Sequence, residues 1–130
     1  MAPKTANIAI TLLTGVALLG GCDPTRARPG PPRVNITVES GTSVFSPDTF
    51  TVTFSATDED GLDSLNLRWG NLQFDVNTFF RTEVTETVEL SVPAGLPLGT
   101  QRNISVRARD LFGQTTVEFL AVTIVARPQN

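Results

Sequence analysis

The sequence predicts an all-β chain, built as one sandwich of about seven short antiparallel strands. Three observations carry that prediction. From Val34 onward apolar and polar residues alternate with period two, the spacing of half-buried strands. Clusters of Gly, Pro, Asp and Ser separate the alternating runs and act as turn signals. No helical spacing of useful length appears in the same region. A closed barrel is the alternative arrangement of such strands.

The first element is a leader, assigned to residues 1–21. Lys4 and the terminal amine are its only positive groups, and it holds no acid. Ile8 to Leu19 is an apolar run of 12 residues. That is short of the about 20 needed to span a bilayer core, and fits the apolar stretch of a secretory signal. Leu19-Gly20-Gly21-Cys22 follows, and Cys22 is the only cysteine. This tetrapeptide resembles the lipobox of bacterial lipoproteins. The resemblance implies cleavage before Cys22, lipidation of its thiol (palmitate-type chains) and acylation of the new amine. Such a protein is anchored to a bilayer of the cell envelope without crossing it. In some Gram-negative lipoproteins an aspartate after the cysteine resembles an inner-membrane retention signal, and Asp23 stands there. Inner and outer membrane both stay open at this point.

Residues 22–33 form the second element, the candidate lipidated cysteine plus a linker. Asp23 to Arg33 holds four prolines, one glycine and three arginines, Arg26, Arg28 and Arg33. Proline at that density excludes helix and interior strand and favours an extended, solvated spacer.

Residues 34–126 carry the domain, with 127–130 as a tail. Strands are expected at 33–39, 49–57, 64–69, 72–76, 79–85, 87–92, 103–110 and 115–125. In the second, Phe50, Val52, Phe54 and Ala56 share one face and Thr51, Thr53 and Ser55 the other. Leu65, Leu67 and Trp69 alternate with Asn66 and Arg68, which puts Trp69 in the core. Val84, Val88, Leu90 and Val92 share a face, as do Ile104, Val106 and Ala108. In the last strand the apolar parity flips between Phe119 and Leu120, the expectation being a β-bulge there.

Two segments are similar to stretches of bacterial Ig-like domains, a group that shades into fibronectin type III and cadherin-like modules. They are Ala56-Thr57-Asp58-Glu59-Asp60-Gly61-Leu62 and Val106-Arg107-Ala108-Arg109-Asp110-Leu111-Phe112-Gly113-Gln114. The resemblance implies a single Ig-like β-sandwich. It also implies that Asp58, Glu59, Asp60, Asp63 and Asp110 gather at one pole, where the arginine-bearing linker arrives.

Composition narrows the chemistry. The chain has 130 residues, no histidine, one cysteine and net charge -3. That removes histidine-based triads, multi-cysteine metal sites and a nucleic-acid footprint. Nothing points to a small-molecule substrate, and the chain reads as no enzyme. Asp58, Asp60 and Asp110 are the candidate cation ligands, because Ca²⁺ takes 6–8 oxygens. As turn-forming carboxylates they need no metal, and no cofactor is otherwise expected. Phe79-Phe80 is the candidate contact for a partner, since neighbours in a strand face opposite ways and one of the two is then exposed. Three functions follow. They are a non-catalytic structural or binding module on a lipid anchor, a Ca²⁺-dependent adhesion module, and an accessory subunit of an envelope assembly docking through an edge strand or the phenylalanine pair.

Overall fold

A computed structural model of the chain describes residues 30–127. The expectations for residues 1–21, Cys22, Asp23 and most of the linker lie outside the described residues. Eight strands form: β1 (Arg33–Val38), β2 (Ser43–Phe45), β3 (Thr49–Thr57), β4 (Leu62–Trp69), β5 (Leu72–Val76), β6 (Glu83–Ser91), β7 (Gln101–Asp110) and β8 (Thr115–Val125). They make a three-stranded sheet, β1-β3-β6, and a five-stranded sheet, β2-β8-β7-β4-β5. The molecule is a two-sheet sandwich rather than a closed barrel. Among the described residues no helix is long and apolar enough to cross a membrane.

The alternating residues meet between the sheets. Val52, Phe54 and Ala56 of β3 and Val84, Val88 and Leu90 of β6 are buried from one side. Leu65, Leu67 and Trp69 of β4 and Ile104, Val106 and Ala108 of β7 close from the other. Trp69 ties the two layers. Its indole N–H donates to the Ser91 carbonyl of β6 at 2.8 Å. Its ring meets Phe50 of β3 edge-on, at 5.2 Å between centroids. That geometry adds quadrupole attraction to the burial of both rings.

Several expectations need correction. The pieces 79–85 and 87–92 are one strand, β6, paired with β3 without a break from Thr49↔Ser91 to Thr57↔Glu83. Glu86 stands half-buried at an inward position of that strand, and a polar residue there interrupts the apolar pattern. β8 has no bulge at Phe119-Leu120, since its register with β7 is uniform from Gln101↔Thr123 to Arg109↔Thr115. The parity flip arises because Val117 and Phe119 point outward, 42% and 63% exposed, while Val122 and Ile124 point into the core. The one irregularity between β4 and β7 lies between Leu62 and Ser64. Finally, β2 pairs parallel with β8 through Ser43↔Thr123 to Phe45↔Val125, and its Val44 is buried. Three residues are too few to show a period.

The register fixes what lies at each end. β1 starts, β3 ends and β6 starts together, through Arg33↔Thr57 and Thr57↔Glu83. β4 starts, β7 ends and β8 starts at the same pole, through Leu62↔Asp110 and Arg109↔Thr115. The loops 58–61, 77–82 and 111–114 are therefore neighbours, and the chain enters beside them. We call this the N-terminal pole.

Candidate functional site

The N-terminal pole is organised by two aspartates that each close a turn. Asp58 follows the last residue of β3. Its Oδ1 accepts the Asp60 N–H at 2.8 Å, and its carbonyl accepts the Gly61 N–H at 3.0 Å. Asp110 is the last residue of β7. Its Oδ1 accepts two N–H groups, from Phe112 at 2.9 Å and from Gln114 at 2.8 Å. Short acidic side chains do this well because they reach backbone donors that tight turns leave unpaired.

Both aspartates are buried, Asp58 8% and Asp110 1% exposed. Burial pushes the Asp58 carboxyl above the ordinary aspartate range. The Asp60 N–H bond opposes that shift, and the carboxylates of Asp110 and Asp60 add to it by repulsion. The nearness of the Asp110 carboxyl group also favours the protonated form of Asp58. Asp110 Oδ2 and Asp60 Oδ2 are buried without a hydrogen-bond partner.

The structure thus brings Asp58 and Asp110 together, with Asp60 adjoining. It does not assemble them as a ligand cage. Among the described residues no group of three or more His, Cys, Asp or Glu is placed to hold a metal ion. Asp63 turns away to Arg109, at 3.9 Å. Arg33 reaches the pole as expected. With Gly30, Pro31, Thr57, Asp58, Glu59 and Thr82 it lines a shallow open groove.

Phe79 and Phe80 are not on a strand, which corrects the expectation for 79–85. They occupy the two central positions of a turn closed by the Arg81 N–H donating to the Thr78 carbonyl at 2.9 Å. Their φ angles are 50° and 58°, the left-handed region that non-glycine residues avoid. Consequently both side chains project, 69% and 65% exposed, rather than one. The turn is firmly seated. The Thr78 hydroxyl donates to the Leu62 carbonyl at 2.7 Å. The Leu62 N–H donates to the Arg81 carbonyl and the Asp58 N–H to the Thr82 carbonyl, each at 2.9 Å.

Sequence reasoning missed three members of this pole. Thr78 is 3% exposed and anchors the turn, yet an isolated threonine carries no signal. Leu111 and Phe112, 48% and 68% exposed, stood in view between Asp110 and Gly113. Apolar residues at the tip of a turn were the available clue. Gly61 gathers the loops. Its φ is +98°, and a Cβ there would lie 2.9 Å from the Phe80 carbonyl oxygen and 3.1 Å from Leu111 Cδ1.

Away from the pole, Arg68 and Arg107 line a groove on the outer face of the five-stranded sheet with Asn66, Gln73, Ser105, Thr115 and Val117. Arg109, next but one along β7, is not among the residues that line it.

The chain is similar in structure to the PKD domain of an M14-like peptidase from Thermoplasmatales archaeon SCGC AB-540-F20. The TM-score is 0.54 at 19% identity, over 75% of this chain and 99% of that one. The described domain has an Ig-like fold. Neither a protein-family model nor a curated protein matches the sequence.

Proposed function

We propose that the chain is a lipid-anchored protein of a bacterial cell envelope whose Ig-like domain is a non-catalytic binding or structural module. The observation that carries this reading is the placement of the only cysteine. Cys22 closes the Leu19-Gly20-Gly21-Cys22 motif directly after the apolar run Ile8 to Leu19. Eleven residues later, at Arg33, the sandwich begins. Two or three acyl chains on Cys22 hold a protein stably where one holds it marginally. Phe79 and Phe80 then belong to the surface the anchored domain presents, and Asp23 points to the inner membrane.

The test is expression of the full chain in a lipidating bacterium, with mass spectrometry of the mature N-terminus and membrane fractionation. A chain beginning at an acylated Cys22 and pelleting with membranes is the expected result. Cys22→Ser should leave it unacylated and uncut. An unmodified Cys22 in the wild-type protein overturns the reading.

A Ca²⁺-dependent recognition role is the second reading. It is favoured by the buried, unpartnered Asp110 Oδ2 and Asp60 Oδ2 beside Asp58. These carboxylates supply fewer than the 6–8 oxygens that Ca²⁺ takes, so carbonyls and water would complete the set. Thermal unfolding in chelator and in millimolar Ca²⁺ separates the readings. A calcium-dependent rise in Tm that Asp110→Asn abolishes selects the second.

A further inference from the structure

We infer that the N-terminal pole rests on the bilayer surface itself, with Phe79, Phe80 and Phe112 entering the headgroup boundary. The inference builds on the lipid anchor proposed above and names what the exposed phenylalanines touch.

The starting point is a turn whose residues contradict its conformation. Two consecutive left-handed positions in a two-residue turn suit Asn-Gly. Here they are Phe79 and Phe80 at φ 50° and 58°. Both side chains are mostly exposed, so packing gives no reason for phenylalanine. Backbone strain and exposed aromatic surface at one place point to a contact outside the domain.

The turn is not alone. Leu111 donates its N–H to the Gly61 carbonyl at 3.3 Å, and Gly61 lies against Phe80 and Leu111. Phe79, Phe80, Leu111 and Phe112 thus form an exposed apolar rim on one pole. Arg81 stands over the Phe79 ring at 5.6 Å, the aromatic-plus-arginine pairing that suits the headgroup level.

The occupant is decided by where the chain enters. Gly30 and Pro31 lie at this same pole, eight and nine residues after Cys22. Even fully extended, that spacer reaches only about 30 Å, so acyl chains on Cys22 keep this pole close to lipid at high effective concentration. Arg33 and Arg81 share the pole with Glu59, Asp60 and Glu83, and Arg109 is paired with Asp63. The contact is therefore apolar rather than driven by net charge.

Single tryptophans report the contact. The full lipidated chain is reconstituted in phosphatidylethanolamine–phosphatidylglycerol vesicles, with and without brominated acyl chains. The variants are Phe79→Trp, Phe112→Trp and Glu89→Trp. The last sits on the outer face of β6 toward the opposite pole. Buried Trp69 is the common background. Bromine should quench the added emission of Phe79→Trp and Phe112→Trp several-fold more than that of Glu89→Trp. If the chain floats with the vesicles but all three variants are quenched alike, the inference fails while the anchor stands. The phenylalanines then face a protein. If the chain does not float, the anchor fails and the inference with it.

Discussion

The carboxyl group of Asp58 lies against that of Asp110, and both are buried where two turns meet. Each serves its own loop through Oδ1, and the mutual repulsion is the consequence of closing two turns at one pole. The folded-state pKa of Asp58 is raised, so the native state holds its proton more tightly than the unfolded chain does. The stabilisation from this proton is complete below the ordinary aspartate value and is lost as pH rises through the raised one. Asp58→Asn keeps an oxygen for the Asp60 N–H and removes the buried charge. In chelator it should raise Tm at neutral pH and flatten the decline of Tm with pH in that window. Thermal melts across pH 4 to 8 check this; a variant less stable at neutral pH contradicts it.

Asp110 should behave asymmetrically under two substitutions. Asp110→Ala strips the acceptor from the part-buried Phe112 and Gln114 N–H groups, and a net hydrogen bond of this kind is worth about 0.5–1.5 kcal/mol. Asp110→Asn retains the acceptor and should cost clearly less. Urea unfolding of the two variants reads the difference.

Gly61→Ala meets two obstacles, a φ of +98° and the Phe80 carbonyl oxygen. A loss of more than about 1 kcal/mol is expected. Amide exchange should show that the loss spreads to the 77–82 and 111–114 loops, because Gly61 touches both.

Replacing Phe79-Phe80 by Asn-Gly should stabilise the domain. Relief of left-handed strain at two positions is worth about 1–3 kcal/mol each at most, and no buried contact is sacrificed. Denaturant unfolding should show the gain, while flotation of an otherwise identical lipidated chain shows whether contact with lipid weakens.

Trp69→Phe removes the hydrogen bond to Ser91 and part of the edge contact with Phe50. Leaving the Ser91 carbonyl without its donor should cost about 1–3 kcal/mol. Native Trp69 emission should be blue-shifted and lost in one step with the sheet signal on unfolding.

The alternation of β3 and the span of β8 were legible because one face of each is buried and side chains there repeat every second residue. Trp69 was placed in the core by the same parity. The logic failed where apolar side chains face water. Val117 and Phe119 on the outer face of β8 mimicked a bulge, and Phe79-Phe80 mimicked a strand. It failed again where a polar residue, Glu86, stands at an inward position. At the pole, the turn-forming nature of Asp58 and Asp110 could be read from their neighbours in sequence. Their side-by-side burial depends on the pairing of β4 with β7, a relation between distant segments that no local pattern carries.

β1 and β8 deliver the two ends of the described chain to opposite poles. A pull between those ends would run along the strand axes. It would slide β1 past β3 and β8 past β7, loading six and nine residue pairings side by side. Bonds loaded in parallel yield together rather than peeling one after another. Under such a pull the sandwich would yield in shear and not as a zipper.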